Sequence, residues 1–205
     1  MKVIPQKLKS SFLKGVLTLL SGTVLAQLIV ILSTPFLTRI YGPTEFAYYT
    51  LFISIYAILN SIVSFKYELS LPLVKNKYKF DLLKTNILIS FIVIFFITLS
   101  LFIVNRYNLY KVVNIGDEYK IIWIFIPVLL LVYSIFTNTN YYLIREKKYK
   151  KVANLNIFRS ISKVTLQIFF GLAGGLSLGL IIGEIVGGLF LIIYIYIYIY
   201  IGKKI

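Results

Sequence analysis

Arg159, Lys163 and Gln167 recur at every fourth position, a spacing that a helix gathers onto one face as two cations and an amide. Such a stripe can hold an anion, because the arginine fork fits a phosphate bidentately while lysine supplies a point charge. Glu184 is the first acid to follow, within the next apolar stretch. The chain has no cysteine and no histidine. That excludes thiol nucleophiles, imidazole bases, disulfide frameworks and the usual zinc sites, and no cofactor is expected. The adjacent acids Asp117-Glu118 and the isolated Glu45 stand without a His, Cys or metal-ligand partner, so no catalytic set is visible.

The elements that must position these residues are apolar. Of 205 residues, 59% are hydrophobic and 14% charged, against about 25% charged in ordinary soluble domains. Windows without Asp, Glu, Lys or Arg cover residues 15–38, 46–65, 85–105, 121–144, 164–183 and 185–202. Each is roughly long enough to cross a hydrocarbon layer of about 30 Å. Long apolar runs indicate helices rather than the alternating strands of a barrel, and a helix satisfies its own backbone in lipid. The expected fold is an all-α integral membrane protein of six transmembrane helices. Residues 1–14 form a cytoplasmic segment, 15–201 the membrane domain and 202–205 a short tail. The first run could imitate a secretory signal, but it continues to Thr38, far beyond a usual signal core.

The last two windows are broken only by Glu184, and the cluster Gly171, Gly174, Gly175 and Ser177 is the natural turn. This predicts helices over about 152–172 and 177–198. Lys163 then lies about 13 Å inside one helix and Glu184 about 10 Å inside the next, at matching depth on antiparallel neighbours. A paired charge is the expected arrangement there, and ionisable groups inside a membrane are functional candidates. Basic residues are distributed 18 to 4 between alternate sides, with Arg39, Arg106, Lys111 and Lys120 in the minority. The positive-inside rule therefore predicts that both termini are cytoplasmic. This topology accounts for most of the net charge of +15, so nucleic acid is not an expected partner, whereas membrane lipids are.

Weaker polar stripes run along other helices: Thr23, Gln27, Thr34 and Thr38; Tyr49, Tyr56, Asn60 and Tyr67; Tyr133, Thr137 and Tyr141. They fit the lining of a hydrated cavity or hydrogen bonding between helices. Gly171, Gly175, Gly179, Gly183 and Gly187 make a small-residue ridge suited to close helix packing. Pro127 removes one hydrogen bond from the fourth helix.

The run from Leu37 through Thr38-Arg39-Ile40-Tyr41-Gly42-Pro43-Thr44-Glu45 to Phe46, followed by Lys66-Tyr67-Glu68-Leu69-Ser70-Leu71-Pro72, resembles the amino-terminal half of bacterial polysaccharide (O-antigen or capsule) flippases. These belong to the multidrug/oligosaccharidyl-lipid/polysaccharide exporter superfamily. The segments 167–171 and 179–183 resemble the same family's fifth-to-sixth helix hairpin, and the likeness extends over about 13–191. The resemblance implies one lobe of a two-lobe fold in the bacterial cytoplasmic membrane. It also implies that the chain helps turn an undecaprenyl-diphosphate-linked oligosaccharide from the inner to the outer leaflet, commonly with ion coupling. Arg39 and the Lys66/Glu68 pair fall on the family's motifs. Arg39, Arg159 and Lys163 are the candidate anion contacts, with Gln167, Asn60 and Gln27 as further substrate-facing residues. Glu184, Glu68 and Lys66 are candidates for charge pairing or coupling.

The chain departs from the family in length, since family members have about twice as many helices. Near its end Ile and Tyr alternate from Ile193 to Ile201. Such a tract is what alternating A/T codons encode, and Lys outnumbers Arg 18 to 4, so repeat slippage that truncated a longer gene is the expected origin. Alternating access needs a second lobe, making a second lobe or a homodimer partner an expected companion besides the lipid-linked oligosaccharide. The alternatives are a polytopic lipid-linked glycosyltransferase and a non-transporting membrane scaffold.

Overall fold

The computed structural model describes residues 6–63, 65–74, 76–107 and 122–201. Asp117-Glu118, Lys111 and Lys120 lie outside the described residues. Six α-helices follow one another: α1 (Gln6–Ile40), α2 (Pro43–Val63), α3 (Lys79–Arg106), α4 (Ile122–Arg145), α5 (Tyr149–Leu172) and α6 (Leu176–Ile201). Two 3-10 turns, Tyr67–Ser70 and Asn76–Tyr78, lie between α2 and α3. No strand occurs among the described residues.

Local chemistry sets the helix ends. Pro43 opens α2, where a missing N–H costs nothing and the fixed φ is already helical. Glu45 in its first turn and Arg39 in the last turn of α1 each complement the helix dipole. Between α5 and α6, Gly174 adopts φ 80°, Gly174 N–H donates to Gly171 O at 3.0 Å and Gly175 N–H donates to Phe170 O at 2.9 Å. That pair of bonds with a left-handed glycine is a Schellman stop, in the segment where the glycine cluster predicted the turn. The Ile-Tyr tract does not become a strand. Its backbone continues α6 to Ile201.

Among the described residues five helices are long and apolar enough to cross a membrane: Leu13–Ile40, Pro43–Val63, Phe80–Val104, Ile124–Arg145 and Leu176–Ile193. The sixth, α5, differs because it carries Lys150, Lys151, Arg159 and Lys163 within its 24 residues. Among the described residues the protein is therefore all-helical and compatible with a multi-pass membrane protein, and α5, with two cations in its central turns, packs between α1 and α6. α5 packs against α1 on one side and α6 on the other, and α4 packs against α2, α3 and α6.

The main core joins Phe52, Tyr56 and Val63 of α2, Ile94 of α3, Ile126, Leu129, Leu130 and Tyr133 of α4, and Ile181 and Ile185 of α6. A second cluster ties Phe136 and Leu143 of α4 to Val152 and Leu155 of α5 and Leu191 of α6. Outward faces of α1 and α3 are apolar, with Leu17, Ile31, Leu32, Phe91, Phe95 and Phe96 exposed. Those faces match a lipid environment.

The glycine ridge of α6 sets its approach to α5. A Cβ added to Gly183 would fall 2.8 Å from the Gln167 backbone nitrogen, and one added to Gly187 would fall 2.9 Å from that of Lys163. Gly183→Val is expected to lower stability by about 1–3 kcal/mol through overpacking against backbone. Gly174→Asn, at a left-handed turn with open space around it, should unfold close to the parent temperature, because Asn tolerates that conformation. Thermal unfolding in detergent checks both.

Candidate functional site

The glycine-permitted contact between α5 and α6 brings Lys163 and Glu184 together. Lys163 Nζ lies 2.6 Å from Glu184 Oε2, with the carboxylate side chain 3% exposed and the lysine 19%. A buried carboxylate needs its lone pairs filled. Tyr49 of α2 donates its hydroxyl to Glu184 Oε2 at 2.6 Å, and Tyr133 of α4 donates to Oε1. Four helices therefore meet at one carboxylate: α2, α4 and α5 supply its partners, and α6 carries it. Lys163 also lies 5.8 Å from the centre of the Tyr49 ring, within reach of its negative face.

Arg159, one turn before Lys163, is held differently. Its guanidinium sits 4.5 Å from the Tyr133 ring centre and 4.8 Å from that of Phe136. Among the described residues no carboxylate pairs with it. Tyr133 thus touches the arginine with its ring face and Glu184 with its hydroxyl. Tyr56 packs on the same ring, with centroids 5.1 Å apart.

The other border of Arg159 is a cavity of about 480 Å³ between α1 and α5, lined by Thr23, Gln27 and the apolar Ala26, Val30 and Ile31 of α1 and by Asn156, Arg159 and Ser160 of α5. Close contact of Gly22 with Ala153 and of Gly15 with Tyr149 holds these two helices together beside it. Amides, hydroxyls and one unneutralised guanidinium make this a place for a polar anionic ligand.

The remaining sequence candidates are scattered. Gln167 is 1% exposed. Its side-chain Nε2 donates to Leu180 O at 3.0 Å, and its backbone carbonyl accepts the Tyr41 hydroxyl at 2.6 Å, so it braces α5 against α6 and the residue that follows α1. Burial pushes the Tyr41 phenol up to about 12, which keeps it a neutral donor across the ordinary pH range. Arg39 is exposed at the end of α1, and Asn60 is half-buried on α2. Lys66 is exposed with a left-handed backbone, φ 60°, whereas Glu68 is buried, so these two charges diverge. Arg145 Nη1 donates to Leu71 O at 2.8 Å and ties the end of α4 to the chain just after the Tyr67–Ser70 turn.

Sequence reasoning did not single out Asn156, Ser160 or Phe136. Asn156 extends the Arg159-Lys163-Gln167 stripe by one turn, and Ser160 lies beside it one turn before Lys163, a signal that was present. Phe136 carried none, since an aromatic residue in an apolar helix is ordinarily core. Tyr49 and Tyr133 stood on noted stripes, but nothing in the spacing tied them to Glu184.

No protein family, curated protein or solved structure matches the chain. What defines the class is an apolar helical bundle with an internal ion pair and an adjacent polar, cationic cavity.

Replacing Lys163 alone with Met leaves Glu184 buried without its cation and is expected to lower stability by about 3–5 kcal/mol. Joining Glu184→Met to it should cost clearly less than the sum of the single changes. A double-mutant cycle on thermal unfolding gives the coupling, and strict additivity would remove the pair from the interior.

Proposed function

We propose that this chain is one six-helix lobe of a polysaccharide flippase in the bacterial cytoplasmic membrane, with both termini cytoplasmic, that handles an undecaprenyl-diphosphate-linked oligosaccharide. The observation that carries this reading is Arg159, which among the described residues pairs with no carboxylate and is presented by two aromatic rings to a cavity between α1 and α5. A diphosphate is a doubly anionic group, and a guanidinium in a partly desolvated site binds it with paired charge-assisted hydrogen bonds. Thr23, Gln27, Asn156 and Ser160 supply neutral donors and acceptors suited to the remaining phosphate oxygens and the first sugar. The five apolar helices suit a ligand with a polyprenyl tail. The motif resemblance of residues 37–46 and 66–72 points the same way. The movement itself requires a second lobe or a second copy.

Lys163 is engaged by Glu184, so in this reading it holds the local charge balance and Arg159 makes the primary anion contact. Binding of undecaprenyl diphosphate to the full chain in nanodiscs tests this. The diphosphate should bind and uncharged undecaprenol should not, and Arg159→Gln should weaken binding about tenfold, the equivalent of about 1.4 kcal/mol. Equal binding of both lipids would overturn the proposal.

Orientation is tested separately. Because the chain lacks cysteine, Lys148→Cys creates one exposed thiol at the start of α5. A membrane-impermeant maleimide should label it in inside-out vesicles and leave it unlabelled in intact cells or spheroplasts.

A further inference from the structure

Buried polar atoms without partners occur on two helices that pack together, α3 and α4. Asn86 is 1% exposed, Ser90 2% and Asn138 1%. Asn86 Nδ2 and Oδ1, Ser90 Oγ and Asn138 Oδ1 have no hydrogen-bond partner. The other end of the Asn138 amide is occupied on its own helix, where Nδ2 donates to Ser134 O at 3.0 Å.

The register of the two helices brings these groups to similar levels along the axis. The Phe80 ring lies 6.1 Å from that of Tyr142, while Ile94 shares a core cluster with Ile126 and Leu130. Numbers that rise along α3 therefore fall along α4, and the helices run antiparallel. Between those two reference points the register sets Asn86 level with residues 134–138 and Ser90 level with residues 130–134, so Asn86 and Asn138 lie within about one helical turn of each other along the axis. From the first residue of α3, Asn86 is about 10 Å along the axis and Ser90 about 16 Å, inside the apolar stretch Phe80–Val104. Glu68 Oε2, also buried and without a partner, belongs to the Tyr67–Ser70 turn that packs on the same two helices.

We infer that the α3–α4 seam is an internal hydration site whose ordered water is bound by Asn86, Ser90 and Asn138. The ligand class follows from counting donors and acceptors. Asn86 offers one of each whichever way its amide is turned, Ser90 can act as either, and Asn138 Oδ1 only accepts. A bare cation would satisfy the oxygens but face the Asn86 NH2 with like polarity. An anion would satisfy that NH2 but oppose two amide oxygens. Water both donates and accepts, and buried waters characteristically make about three hydrogen bonds to groups of this kind. The site is separate from the Lys163–Glu184 cluster and does not depend on the transport reading.

Water-edited solid-state NMR on the full chain in liposomes, labelled with 13C at Asn and Leu, tests the assignment. Magnetisation from water should reach the side-chain carbonyl carbons of Asn86 and Asn138 at least threefold faster than the methyls of Leu130, which is fully buried in the neighbouring core. Asn86→Leu should slow transfer to Asn138. Build-up at both amides as slow as at Leu130 in the parent protein overturns the proposal, and that comparison needs no variant to fold. Shifts of both amides on replacing N-methylglucamine with sodium, with loss of the water transfer, would also overturn it by making the ligand a cation.

Discussion

A carboxylate held 3% exposed in an apolar helix is the constraint around which this bundle is arranged. Removing an ion from water costs several kcal/mol even after relaxation, so Glu184 is tolerable only where its charge and lone pairs are met. The cation comes from α5 and two phenol hydroxyls come from α2 and α4. Because those partners lie far apart in sequence, satisfying one group fixes the relative positions of four helices. Apolar packing alone is not directional and could not specify that arrangement so narrowly.

The glycines of α6 make the pairing geometrically possible. At Gly183 and Gly187 the backbone of α5 lies where any side chain would stand. This close approach places Lys163 against Glu184 and lets Gln167 reach the Leu180 carbonyl. The small-residue ridge and the buried charge are thus parts of one device. The first removes the steric obstacle, and the second supplies a specific attraction.

The two interior cations have different roles because their neighbours differ. Lys163 is neutralised by Glu184, while Arg159 rests on Tyr133 and Phe136, where aromatic faces hold a guanidinium without cancelling its charge. Tyr133 belongs to both environments and mechanically links the cavity to the ion pair. An anion bound at Arg159 would therefore alter the electrostatics of a residue that also hydrogen-bonds Glu184. The charged helix carrying both cations lies between α1 and α6, whereas the apolar faces of α1 and α3 point outward.

Much of the bundle was legible in the sequence because long uncharged windows have few structural solutions. The helices, the glycine turn near Gly174 and the matching depth of Lys163 and Glu184 all follow from apolar length and a 1.5 Å rise per residue. One-dimensional spacing also put Arg159 and Lys163 on one face. It could not show that Arg159 would lie on aromatic rings, that Lys66 and Glu68 would diverge, or that Gln167 would become a brace. Nor could it bring Tyr49 and Tyr133 to Glu184, or bury Asn86 and Asn138. Each of those depends on how helices rotate and pair, which is decided by packing between segments distant in the chain. Periodicity within a single segment constrains only which residues share a face, not what that face will meet.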